Sequence, residues 1–163
     1  MMRTASIPDN ISDVLVKIIY FTHLRRRVLH ENLHKAGDPG FTPCDMPVRE
    51  FAETINLALA EHLQNGRLLF HDSPTMRFGP NNTMQIEPVV DAQACALLRT
   101  NRDEYTELQI GKLMENCWNR RVAKELLRQK SGASNGEMDW AIGEALAGDN
   151  PLTSLPPNRG TAK

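Results

Sequence analysis

The chain has 163 residues, with 19 Lys and Arg against 20 Asp and Glu and a formal net charge of -1. That length suits one domain with a real core and is short for two. The near-neutral balance argues against a general nucleic-acid binder, which carries a basic excess. Apolar residues make up 40% and charged residues 24%, so a packed core is expected. Aromatics at 6% point to helices more than to a β-sandwich. The 3 cysteines stand far apart with no CxxC, which indicates neither a disulfide framework nor a four-Cys zinc site. No apolar stretch resembles a cleaved signal peptide. The most apolar early run, Val14 to Phe21, is interrupted by Lys17 and too short to span a bilayer.

Residues 1–9 read as a flexible leader. Asn10, Ser12 and Asp13 offer N-caps for a first helix over 11–36. Ile11, Val14, Leu15, Ile18, Phe21, Val28, Leu29 and Leu33 recur at three- and four-residue steps, an apolar stripe broken by Arg25. Gly37 suits the C′ position, and Pro39 blocks resumption. Loop 37–46 is rich in Pro and Gly. A second helix is expected over 47–64, opened by Pro47 and closed by Asn65-Gly66. Its face would carry Val48, Phe51, Ala52, Ile55, Ala58, Leu59 and Leu63.

Loop 65–87 is irregular, with short strands expected at Leu68–Phe70 and Thr83–Ile86 around an Asn81-Asn82 turn. A long helix is expected over 88–130, with Val90, Ala94, Leu97, Leu98, Tyr105, Leu108, Leu113, Cys117 and Leu127 on a buried face and cations in its last turns. At 1.5 Å per residue it would run about 60 Å, longer than the first helix can cover. The uncovered length suggests self-assembly or a partner. Residues 131–163 read as a linker, a short amphipathic helix over 137–147 and a disordered tail.

His30-Glu31-Asn32-Leu33-His34 matches HExxH. On a helix both imidazoles share a face, so they could ligate zinc while Glu31 activates water, as in a small metallohydrolase. The context argues against that chemistry: the residues before His30 continue the same helix and supply no sheet, and no third His follows at a fitting spacing. The simpler reading is a solvated or interface pair. Arg25-Arg26-Arg27 reads as a solvated basic face. Cys95 and Cys117 read as small buried hydrophobes and Cys44 as a loop thiol. Trp118 and Trp140 read as packing or interface anchors.

Residues Asn32 to Phe41, NLHKAGDPGF, resemble the signature of flagellar rod and hook axial proteins, approximately Asn-Ile-Ala-Asn-x-x-Thr-Pro-Gly-Tyr. Asn32, Pro39 and Gly40 match, and Leu33 and Phe41 are similar residues. His34, Lys35 and Asp38 depart from the pattern. Asp45 stands where the proximal rod protein (FlgB) family has an Asp, although Cys44 replaces the Arg before it. Asn82 to Glu87, NTMQIE, is similar to the segment that opens the C-terminal helix of that family.

The resemblance covers about residues 10–130 and implies a mostly α fold. Its terminal helices would pair as an antiparallel coiled coil around an irregular middle segment and a short middle helix. It implies a non-enzymatic structural subunit of the flagellar basal-body rod, exported by the flagellar type III apparatus without a cleaved signal peptide. Partners would be other rod subunits, basal-body proteins and the export apparatus, with no cofactor, nucleic acid or membrane insertion. Asn32, Pro39, Gly40, Phe41 and Asp45 would shape the signature loop. Ile11, Val14, Ile18, Phe21, Leu97, Leu108 and Leu113 would carry helix packing. A helical adaptor or regulatory protein is the further alternative.

Overall fold

A computed structural model describes residues 10–80 and 83–131. The expected leader 1–9, the Asn81-Asn82 turn, Trp140, the helix over 137–147 and the tail lie outside the described residues. Helix α1 spans Asn10–His34. It ends at His34, two residues short of the expected end at 36. Two successive turns follow, closed by Asp38 N–H to Lys35 O (3.0 Å) and Phe41 N–H to Asp38 O (3.3 Å). The second turn has Pro39 and then Gly40, at φ +73°. That order supplies the fixed φ and then the positive φ of a type II turn. Gly40, not Gly37, is therefore the left-handed residue.

Strand β1 (Cys44–Asp45) follows, then α2 (Val48–Asn65). Pro47 lies just before α2, where its carbonyl accepts the Phe51 amide at 2.9 Å. Gly66, at φ +66°, caps the other end by donating to His62 O. Phe51, Thr54, Ile55 and Ala58 are the buried face of α2. Ala52 and Leu63, expected on that face, are exposed.

The first middle strand is not Leu68–Phe70. It is β2 (Met76–Phe78), paired antiparallel with β3 (Met84–Ile86) in the register Met76 to Ile86. Strand β4 (Val89–Val90) pairs antiparallel with β1. The helix expected over 88–130 is divided into α3 (Ala92–Thr100) and α4 (Arg102–Ser131). Asp91 caps α3 by accepting the Ala94 amide. Asn101 causes the break. Its backbone is extended, its N–H closes α3 onto Leu97 O, and its Oδ1 accepts the Glu104 amide. An Asn side chain that competes for backbone donors favours a cap over a helix interior.

Among the described residues, four helices and two short antiparallel strand pairs result. α1 lies at the centre, buried on two sides. Val14, Phe21, Leu24 and Val28 pack with Phe51 and Ile55 of α2 and with Met76, Met84 and Ile86 of the hairpin. Phe21 and Phe51 stack with ring centroids 4.1 Å apart. Lys17, which interrupts the apolar run, is buried there with its ammonium 4.7 Å above the Phe70 ring. On the other side Leu15 and Ile19 pack against Ala123 and Leu127 of α4. The contacts between α1 and α4 run in opposite orders along the two helices, so the pair is antiparallel: Asn32 meets Tyr105 and Gln109, Thr22 meets Asn116, and Ile19 lies in the cluster with Ala123.

Candidate functional site

Polar side chains dominate the upper half of the α1–α4 contact. That is the informative anomaly, because buried polar groups cost free energy unless they are paired. Asn32 is 1% exposed. Its Nδ2 donates to Cys44 O (2.7 Å) and to Gln109 Oε1 (2.9 Å), and its Oδ1 accepts the Cys44 amide (3.2 Å). One side chain thus satisfies both backbone groups of a loop residue and reaches α4. Tyr105 of α4 donates its hydroxyl to Asn32 O at 2.7 Å. Burial is the main reason its phenol is pushed up to about 12. About two turns further along α4, Asn116 Nδ2 donates to Thr22 O of α1.

Beside this lies a buried ionic group. Arg25 donates Nε to Asp45 Oδ1 (2.9 Å) and Nη2 to Oδ2 (3.1 Å). Lys112 donates to Asp45 Oδ2 (2.9 Å) and to Asp91 Oδ2 (2.5 Å). Asp45 Oδ1 also accepts the Met46 amide. Burial alone would raise the Asp45 carboxyl. The hydrogen bonds and charges of Arg25 and Lys112 outweigh it and hold the carboxyl below its ordinary range. Burial likewise opposes the Lys112 ammonium, and Asp91 and Asp45 overcome it and raise Lys112. The expectation of a solvated Arg25–Arg27 face is therefore corrected. Arg25 is 4% exposed, while Arg26 and Arg27 face water. A helix face of this kind cannot be assigned until the acid that pairs with it, 20 residues away, is known.

Asn32 and Asp45 thus come together in one clasp joining α1, the loop strand and α4. Pro39, Gly40 and Phe41 shape the turn that returns the chain to it. Leu97 sits on α3 and is half-buried, as are Leu108 and Leu113 on α4. Val14 and Phe21 face α2 and the hairpin, while Ile11 and Ile18 pack beside Leu15 and Ile19. Tyr105 is buried as expected, but sequence reasoning missed Gln109, Lys112 and Asn116. Their spacing of three and four residues was the available signal, but a search for apolar periodicity passes over polar positions.

The outer face of α4 carries a second feature. Ile110 (46% exposed), Met114 (69%), Trp118 (65%), Val122 (47%) and Leu126 (46%) form a ridge with one residue every four. Cys117, expected to be buried, is exposed beside it, and Cys95 is half-buried. Large apolar residues in a continuous exposed row mark an interaction surface more than scattered ones do.

His30 and His34 are exposed, with ring centroids 6.4 Å apart. The Glu31 carboxylate is held by Lys35 at 2.6 Å. Among the described residues no three His, Cys, Asp or Glu side chains converge on a metal-sized site. No described helix is long and apolar enough to cross a membrane. Searches against protein-family models, curated proteins and solved structures match nothing to this chain.

Proposed function

We propose that the chain is an assembly subunit of the bacterial flagellar basal-body rod, resembling the proximal rod proteins, whose α1–α4 pair acts as an antiparallel coiled coil. The apolar ridge on the solvent side of α4 carries this reading. A subunit that works alone has no use for such a ridge, whereas one in a tube of packed helices buries it.

The residues behind the resemblance also have physical work that accounts for their pattern. Asn32 ties α1 to both backbone groups of Cys44, Pro39-Gly40 forms the turn between them, and Asp45 neutralises Arg25 and Lys112. Together these polar layers would set the register of α4 against α1, as single buried polar residues do in coiled coils.

Deleting the gene in a flagellated host and scoring swimming and rod assembly tests the proposal. Loss of both, restored by the wild-type chain and poorly by Pro39→Ala with Gly40→Ala, is expected. Normal motility in the deletion strain refutes it. The ridge would equally serve a helical adaptor. A chain retained in the cytosol in a stable complex, and never exported, would favour the adaptor.

A further inference from the structure

We infer that the α4 ridge pairs with the same ridge of a second copy of this chain, antiparallel and centred on Trp118. This rests on the reading of that ridge as an assembly face and concerns the free chain: a closed two-fold pair covers the ridge that the tube would later bury, so the pair must open on assembly.

The ridge has its own symmetry. Counting outward from Trp118, Met114 falls opposite Val122 and Ile110 opposite Leu126. A two-fold axis at Trp118 therefore matches apolar residue to apolar residue along the whole row, which is the requirement of a closed, self-complementary contact. The row advances by four residues per step. Two such rows interdigitate in the commonest mode of helix packing, at a crossing angle of about 50°. The opposite side of α4, carrying Tyr105, Gln109 and Asn116, is already occupied by α1, so among the described residues the ridge is the apolar side of α4 left open to a partner.

Charge selects the orientation. The first turns of α4 carry Asp103, Glu104 and Glu107 against Arg102, with Glu115 further on and Lys112 already held by Asp45 and Asp91. The last turns carry Arg120, Arg121, Lys124, Arg128 and Lys130 against Glu125 alone. A parallel pair sets acid beside acid and base beside base. An antiparallel pair sets the acidic end of one α4 towards the basic end of the other, which favours that encounter. Trp118 at the centre, with the Arg121 guanidinium 5.8 Å from its ring, is the kind of residue that dominates such contacts.

Sedimentation equilibrium of the full chain is the test, at concentrations on the order of 100 μM. A monomer–dimer equilibrium is expected for the wild type. Trp118→Lys should weaken association by roughly 30-fold or more, with an unchanged circular dichroism spectrum because Trp118 is exposed. Leu63→Lys, on exposed α2 surface away from the ridge, should leave the dimer intact. In a background without native cysteines, Met114→Cys mixed with Val122→Cys should give an oxidised cross-linked dimer, and neither should do so alone.

A monomeric wild type, a dimer indifferent to Trp118→Lys, or cross-linking of Met114→Cys with itself overturns the inference. So does an open-ended series of larger oligomers. A monomeric wild type whose Trp118→Lys variant still fails to enter the rod would leave the assembly reading standing. A dimer in a strain that swims without the gene would do the reverse.

Discussion

Replacing Asp45 with Ala removes the acceptor of two Arg25 hydrogen bonds, one Lys112 hydrogen bond and the Met46 amide. Lys112 keeps Asp91 at 2.5 Å. Arg25 is left nearly dry, with only Glu115 at 3.8 Å as a distant and half-exposed counter-charge. Breaking one partner of a buried ion pair costs about 3–5 kcal/mol, because the remaining charge stays desolvated. For a domain of this size that corresponds to a fall in Tm of roughly 10–20 °C. Thermal and urea unfolding followed at 222 nm would read it.

The same reasoning makes a sharper prediction for the double variant. Arg25→Met with Asp45→Leu should recover most of the loss, since the uncompensated charge is gone. If Asp45→Ala unfolds within about 1 kcal/mol of wild type, or if the double variant is no better than the single, the clasp does not hold α1, the loop and α4 as argued.

Asn32→Ala should cost about 2–4 kcal/mol by stranding the Cys44 amide and carbonyl, and Asn32→Asp should not rescue it because Asp cannot donate to Cys44 O and Gln109; urea titration decides. Gly40→Ala should cost about 1 kcal/mol with no steric contribution, because a Cβ there meets nothing within 4 Å and only the φ of +73° opposes it. A cost near zero would deny that turn its left-handed residue.

Asp45 is depressed in the folded state, so its stabilisation is present above the ordinary carboxylate range. It is lost as pH falls through the lower folded value. Acid destabilisation beginning near about pH 4 should therefore be shallower in Asp45→Asn. Tyr105 is raised, so its contribution is complete below about pH 10 and lost as pH climbs towards about 12. Absorbance at 295 nm should show a phenol ionising near there, absent in Tyr105→Phe.

The helical character of the chain, the Pro-Gly turn, the Gly66 stop of α2 and a strand near Met84 to Ile86 were legible in local sequence. Each depends on neighbours only a few residues away. A φ above zero needs Gly, and an apolar repeat of three and four residues needs a helix, wherever the segment ends up. The break at Asn101 was less legible, because Asn is tolerated inside helices and becomes a cap only when its side chain turns to the next amides.

Which face of each helix is buried was decided by tertiary structure. α1 carries apolar and polar groups all round, so its sequence could not say that Val14 and Phe21 would face α2 while Leu15 and Ile19 faced α4. The covered face of α4 starts as a row of Tyr, Gln, Lys and Asn and becomes apolar only at Ala123 and Leu127, while its open face is a row of Ile, Met, Trp, Val and Leu. Hydrophobic patterning reads the first half of that helix inside out. The polar row is tolerated inside because Asn32, Asp45, Asp91 and Thr22, distant in the chain, arrive to pair with most of its groups, Gln109 Nε2 alone among them being left without a partner. The apolar row stays outside because no described part of the same chain reaches it.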